Sequence, residues 1–283
     1  MIYKDYKKSV AYQGSEGANS HLLCVSKFPH AKHHSFDTFD EVFHAVESGK
    51  IALGIVPIEN SNAGRVSEIH NLLKGTSLHI VGEFFLEIRH HLAAIADSDI
   101  TQIKDVYSHP QALMQSNQSV KSLSLSKHSF FNTALAAKYV NKEQDPTKAA
   151  LCTELAATLN NLKIIKYDMQ DAEKNNTIFI ALAKEVEELS INKSAKKVTT
   201  LLFTVRNIPA AIYKCLGGFA TNNINIIKLE SYIPGGLSEE ASFFISFEGD
   251  VDERSVQLAL EELGFYSKDI KLLGVYDKAV ERK

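Results

Sequence analysis

The stretch "IALGIVPIENS" (residues 51–61) decides the fold. It is apolar almost without interruption to Ile58, then stops at Glu59, Asn60 and Ser61. A strand with one wet face would alternate apolar and polar residues. An unbroken apolar run instead reads as a strand covered on both faces, as in a parallel sheet packed between helices. The flanking sequence agrees. In "DTFDEVFHAVESGK" (37–50), Phe39, Val42, Phe43 and Val46 share one helical face and Gly49 ends the helix. "RVSEIHNLLKG" (65–75) supplies another helix.

Further out the pattern continues. "SVAYQG" (9–14) followed by "SEGANSHLLCVSKF" (15–28) reads as strand, tight loop and helix. "LHIVGEFFLEIRHHLAAI" (78–95) reads as one or two strands, and "KDVYSHPQALMQ" (104–115) as strand, loop and helix. "DPTKAALCTELAATLNN" (145–161) reads as a helix and "LKIIKYDM" (162–169) as a strand. Alternating strands and helices predict an α/β architecture. In such folds ligands gather at the carboxyl ends of strands. Four polar clusters lie at strand ends or starts: "QGSEGANS", "IENSNAGR", "YSHPQA" and "KNNT".

"AKEVEELSINKSAKK" (183–197) is charged and reads as a linker. Beyond it, "VTTLLFTV", "IPAAIYKCLGGFAT", "INIIKLESYI", "ASFFISFEG", "ERSVQLALEELGF" and "IKLLGVY" give the order βαββαβ, the ferredoxin-like pattern. Asn207 is a candidate helix cap, with Pro209 in the first turn.

Bulk properties exclude several classes. The chain has 283 residues, 45% hydrophobic, with a formal net charge of −3. Two domains and real cores are expected. Nonspecific nucleic-acid binding is not. There is no apolar run long enough to span a membrane, and "MIYKDYKKSV" lacks the apolar core of a signal peptide. Cys24, Cys152 and Cys215 are widely spaced, which predicts buried thiols in a reducing cytoplasm. His30, His33 and His34, and the pair His90 and His91, lack partners at metal-ligand spacing, so they read as surface or strand-end residues and no metal site is predicted.

Over nearly its whole length the chain resembles the bacterial prephenate dehydratases that carry a C-terminal ACT regulatory domain. The matching stretches are "YQGSEGANS" (12–20), "GIVPIENSNAGRVSEIHNLL" (54–73), "VYSHPQAL" (106–113), "AALCTELAA" (149–157), "NNTIF" (175–179) and "NIPAAIYKCLGGFATNNINIIKLESY" (207–232). The resemblance implies a two-lobed catalytic domain over 1–190, similar to type II periplasmic binding proteins. One lobe would comprise about 1–80 with 177–190, the other 81–170, and an ACT domain would follow over 198–283. It implies decarboxylating dehydration of prephenate to phenylpyruvate in phenylalanine biosynthesis, in the cleft and without a cofactor.

That reaction asks for a hydrogen-bond donor to the departing hydroxyl and a grip on two carboxylates. The resemblance makes Thr177 the catalytic residue. It marks Ser20, Asn60, Ser61, Ser108, Gln111, Asn132, Thr133, Thr153, Asn176 and Phe179 as substrate-binding candidates. Asn19 and Ser20 stand near a helix N-terminus, a natural anion site. Glu59 and His109 read as structural. The family usually places Arg directly after the threonine; here the position is Ile178, which cannot grip a carboxylate. Arg65 or Lys174 is then the substitute cation, or the chain is a weakened amino-acid-binding sensor. Arogenate, the amino analogue, is the alternative substrate.

In the second domain the resemblance implies a phenylalanine effector site between chains, and hence a homodimer or homotetramer. Its candidates are Ile208, Pro209, Ala210, Ala211, Ile212, Leu216, Asn223, Asn225, Leu229, Glu230 and Ser231. Tyr232 stands where the family usually has Arg.

Overall fold

The computed structural model describes residues 3–172, 174–189, 195–232 and 241–281, with only the backbone described at Glu187 and Tyr232. Glu173 and the centre of the expected linker, 190–194, lie outside the described residues.

The N-terminal third contains β1 (Ser9–Gln13), α1 (Asn19–Lys27), β2 (Lys32–Phe36), α2 (Phe39–Glu47), β3 (Leu53–Asn60), β4 (Gly64–Arg65), α3 (Ser67–Gly75) and β5 (His79–Glu87). The middle third contains β6 (His91–Ala94), β7 (Asp105–Ser108), α4 (Pro110–Gln115), α5 (Asn117–Ser122), β8 (Ser126–Ser129), α6 (Thr133–Glu143), β9 (Lys148–Cys152), α7 (Glu154–Leu159) and β10 (Lys163–Lys166). β11 (Asn176–Ala183) returns to the first sheet, whose order is β2-β1-β3-β11-β5, with β4 paired to β3. The second sheet has the order β10-β6-β9-β7-β8. β7 runs parallel to β8 and β9, and β6 antiparallel to β9 and β10. Two α/β sheets followed by a βαββαβ unit are the class the sequence predicts.

β3 is the buried central strand expected from 51–61: Leu53, Ile55, Val56 and Ile58 have almost no exposed surface. The α2 face holds as well, with Val42, Phe43 and Val46 buried. One expectation is corrected. Residues 145–161 are not a single helix: Lys148–Cys152 forms β9, and α7 begins only after Thr153. β9 lies between β6 and β7 in its sheet. Buried on both faces, "AALC" carries no period by which strand and helix could be told apart. Thr153 makes the break, its side chain accepting from Ala156 N as the cap of α7.

The C-terminal unit comprises β12 (Lys197–Val205), α8 (Ala211–Thr221), β13 (Ile226–Tyr232), β14 (Ser242–Glu248), α9 (Arg254–Tyr266) and β15 (Ser267–Asp277). Its antiparallel sheet has the order β13-β14-β12-β15. The two helices cover one face over a core that includes Leu201, Phe203, Phe219, Ile245, Phe247 and Leu263. Gly218 allows close helix packing: a Cβ there would lie 3.0 Å from the Ala259 backbone.

The chain divides into two compact, discontinuous units. The first takes residues up to Val42, Ile55–Arg65 and Phe85–Phe179; the second takes Phe43–Gly54, Val66–Phe84 and everything from Ile180. No helix among the described residues is long and apolar enough to cross a membrane.

Candidate active site

The candidate residues of the catalytic part fall largely into two groups of polar side chains, both within the first unit. The first group forms where β3 ends beside the start of β11. Asn60 closes β3, and its Oδ1 accepts from the backbone N–H groups of Asn62 (3.0 Å) and Ala63 (2.9 Å). A backbone N–H can only donate, so the carbonyl end of the Asn60 amide is fixed toward the turn. Its Nδ2 must therefore point the other way. There it donates to Thr177 Oγ1 at 2.9 Å and to Asn175 Oδ1 at 2.9 Å, with Asn176 O at 3.3 Å. Ser61 pins the same junction: its N–H donates to Asn176 O (2.8 Å) and its Oγ accepts from Asn176 N (3.0 Å).

Thr177 is 8% exposed. Its oxygen already accepts from Asn60, so its own O–H is left to donate. Strand alternation puts Phe179 on the Thr177 face and Ile178 on the other. Phe179 is a core side chain at 1% exposure, whereas Ile178 is partly exposed. Among the candidate cations, Arg65 and Lys174 are both exposed.

The second group forms around the loop after β1. Thr153 Oγ1 donates to Gly17 O at 2.6 Å while accepting from Ala156 N at 3.0 Å. Asn132 caps α6 by accepting from Leu135 N (2.7 Å), and its Nδ2 donates to Ser15 Oγ at 3.1 Å. Gly17 adopts φ +88°, and a Cβ there would lie 2.7 Å from Ala156 Cα. Only glycine fits both the conformation and the space. Ser20 and Thr133 are buried first-turn residues of α1 and α6.

The candidate Ser108 and the neighbouring His109, read as structural, both take up backbone contacts. Ser108 Oγ donates to Leu151 O at 2.6 Å, tying β7 to the end of β9. His109 caps α4, its Nδ1 accepting from Gln111 N at 3.2 Å, and burial lowers its pKa, which suits a neutral acceptor. Gln111 itself is half-buried.

The residues behind Asn60 were not expected from the sequence. Asn175 is 2% exposed, and its Nδ2 donates to Gln115 Oε1 at 2.9 Å. The same oxygen lies 3.2 Å from His90 Nε2. A recess of about 240 Å³ opens beside this chain of contacts, lined by Asn62, Met114, Gln115, Gln170, Asp171, Ala172 and Asn175. Asn175 was legible in "NNT", one residue before the candidate Asn176. Gln115 and His90 carried no local signal, because α4 and the approach to β6 meet the β11 start only in three dimensions.

In the C-terminal unit, Ala210 adopts φ +58° just before α8, and Ile208, Pro209, Ala210, Asn223, Asn225, Leu229 and Ser231 are exposed. Ala211, Ile212 and Leu216 are partly buried on α8, against the core. Glu230 is differently placed from an open ligand residue. Its Oε2 lies 2.9 Å from His70 Nε2 and its Oε1 3.4 Å from Lys228 Nζ. The His70 contact is close in distance but poorly aligned as a hydrogen bond. His70 and then Lys228 hold the Glu230 carboxyl below its ordinary pKa against the opposing effect of burial.

These amides and hydroxyls lie at strand ends of an α/β protein, where ligands of such folds gather. The prephenate dehydratase family model matches residues 10–187, and the chain belongs to that family. A bifunctional N-acyl-homoserine lactone acylase/prephenate dehydratase of Komagataeibacter europaeus is 35% identical over 98% of both chains. Arogenate dehydratase/prephenate dehydratase 2 of Arabidopsis thaliana is 34% identical over 94% of this chain and 72% of its own length. The crystal structure of a prephenate dehydratase from Arthrobacter aurescens in complex with L-Phe has the same fold, with a TM-score of 0.85 at 23% identity, covering 96% of this chain and 90% of that one.

Proposed function

We propose that the protein is a prephenate dehydratase whose reaction is driven from Thr177. The observation that carries this reading is the direction of the Asn60–Thr177 hydrogen bond. Asn60 donates, so the Thr177 hydroxyl keeps its proton for a substrate oxygen. In the reaction, the electron pair of the bond to the departing carboxylate moves into the ring. The ring becomes aromatic and the 4-hydroxyl leaves, taking up one proton to become water. Carbon dioxide, water and phenylpyruvate result, with no net oxidation. An alcohol is a weak acid, so Thr177 acts by a hydrogen bond that strengthens as negative charge develops on the leaving oxygen. The loop around Ser15 to Ser20, braced by Asn132 at Ser15 and by Thr153 at Gly17, presents neutral polar groups suited to the substrate's carboxylates.

Ile178 does not argue against activity. Strand alternation turns its side chain away from the Thr177 face, so it extends an apolar surface and leaves the Asn60–Thr177 pair intact. Arogenate is the second substrate reading, supported by the name of the Arabidopsis relative. For regulation, the βαββαβ unit is an ACT domain that binds phenylalanine through the exposed turn 208–210, the start of α8, Asn223 and Asn225, between copies in a homodimer or homotetramer. The L-Phe complex of the Arthrobacter structure supports phenylalanine as the ligand. Glu230 then serves the contact with His70 rather than the effector. Three buried free cysteines suit a reducing compartment, and a cytoplasmic location is proposed.

The test is to supply prephenate and follow phenylpyruvate in alkali, with arogenate and an N-acyl-homoserine lactone as parallel substrates. Turnover of prephenate that collapses in Thr177→Ala supports the reading. Turnover of only another substrate, or a Thr177→Ala variant as fast as wild type, overturns it.

A further inference from the structure

The orientation of the site amides can be followed one link at a time, from the turn after β3 to a buried histidine. Asn60 Oδ1 faces the Asn62 and Ala63 N–H groups, so Asn60 Nδ2 faces Asn175. Asn175 must present Oδ1 to that donor, which turns its own Nδ2 toward Gln115. Gln115 must in turn present Oε1. The group 3.2 Å away on the far side of that oxygen is His90 Nε2, and it contacts an acceptor already facing it. It therefore has to be an N–H.

Each backbone in the chain of contacts is held. Ile88 N donates to Asn175 O (2.6 Å), Asp171 N to Gln115 O (2.8 Å), and Met169 N to His90 O (2.7 Å). The backbone N–H of His90 donates to Gln170 Oε1 at 3.0 Å. His90 is 2% exposed, and its Nδ1 has no partner among the described residues. The alternative Nδ1–H tautomer would bury an unsatisfied donor and set two lone pairs against each other at Gln115, so it is disfavoured twice over. Burial also lowers the pKa of His90, which keeps the ring neutral at ordinary pH.

We propose that His90 is a positioning residue for Thr177: as a neutral Nε2–H imidazole it fixes the Gln115 carbonyl, and through Gln115 and Asn175 it braces the Asn60 nitrogen, whose direction the Asn62 and Ala63 N–H groups set, at the distance from which it donates to Thr177. His90 touches no reacting atom. It closes the hydrogen-bond chain at the end opposite the backbone turn. Without it, the Gln115 carbonyl loses one of its two partners, Asn175 is held less firmly, and the Asn60 nitrogen loses part of the support that keeps it 2.9 Å from Thr177 Oγ1, while the direction of that bond is unchanged.

The proposal deepens the dehydratase reading and rests on it for its catalytic part; the tautomer does not depend on it. The experiment has two arms on the full chain. In the first, ring-nitrogen NMR of ¹⁵N-labelled protein, with the His90 signals assigned by their loss in His90→Gln, reads the tautomer. Nε2–H at neutral pH is expected; an Nδ1–H ring or an imidazolium overturns the proposal. In the second, prephenate kinetics compare wild type, His90→Leu and His90→Gln. His90→Leu should lower kcat by about ten-fold with KM within about two-fold, the loss of one orienting hydrogen bond. His90→Gln, which restores an N–H donor, should recover most of that loss. Equal kcat in all three overturns the positioning role even if thermal stability falls. A chain inactive on prephenate that still shows the Nε2–H ring supports the hydrogen-bond chain and refutes the dehydratase reading.

Discussion

Asn60 and Thr177 are 117 residues apart in the chain and joined by one hydrogen bond, Nδ2 to Oγ1 at 2.9 Å. The backbone N–H groups of Asn62 and Ala63 fix its direction, because they admit only an oxygen at the other end of the Asn60 amide. The bond thus leaves the Thr177 O–H as a donor.

Removing that donor should abolish most of the turnover. Thr177→Ala is expected to lower kcat on prephenate by roughly 10²–10⁴-fold, the range for one positioned proton donor. Thr177→Ser keeps the O–H and should retain far more activity. Initial rates of phenylpyruvate formation distinguish the two.

Reversing the polarity of the bond should be nearly as harmful. Asn60→Asp keeps the acceptor for the Asn62 and Ala63 N–H groups but replaces the amide nitrogen with a second carboxylate oxygen. Thr177 then turns its hydrogen back toward that oxygen rather than to substrate. A fall in kcat of at least about ten-fold is expected, with some loss of thermal stability because Asn175 Oδ1 and Asn176 O lose their donor. A variant with unchanged kcat would show that the direction of this bond is immaterial.

The loop after β1 depends on the absence of a side chain. Gly17→Ala would place a Cβ 2.7 Å from Ala156 Cα in a backbone with φ +88°. Overpacking against main chain plus the conformational penalty should cost about 1–3 kcal/mol, read as a lowered midpoint in urea unfolding. Thr153→Val removes both the α7 cap and the donor to Gly17 O. It should cost about 1–3 kcal/mol as well, because a buried carbonyl is left unpaired.

Acid should erase the contribution of Glu230. Its carboxyl titrates below the ordinary value in the folded protein, chiefly through His70. A depressed carboxylate pKa stabilises the fold above the unfolded pKa, near 4.5, and the contribution is lost as pH falls through the folded value. Glu230→Gln should therefore melt below wild type at neutral pH, and the gap should close as the pH falls below that range. Thermal melts of both proteins from neutral pH into acid would show it; a gap that stays constant contradicts the assignment.

Much of the fold was written in local chemistry. The unbroken apolar run of β3, the single apolar face of α2 and the βαββαβ order follow from periodicity and turn residues, which act over a few neighbours. So does the placement of Asn60, Ser61, Thr153 and Thr177 at strand ends. What failed locally was β9: buried on both faces, it has no period, and only its neighbours β6 and β7 make it a strand. The contact of Glu230 with His70 on α3 carried no signal in the sequence either. His90, read as a surface or strand-end residue, is instead buried, and it meets Gln115 and through it Asn175 from distant parts of the chain. The sequence by itself determined which residues could donate, accept or cap. The tertiary structure alone decided which donor faces which acceptor, since a hydrogen bond requires an approach within about 3 Å that only the packed chain sets.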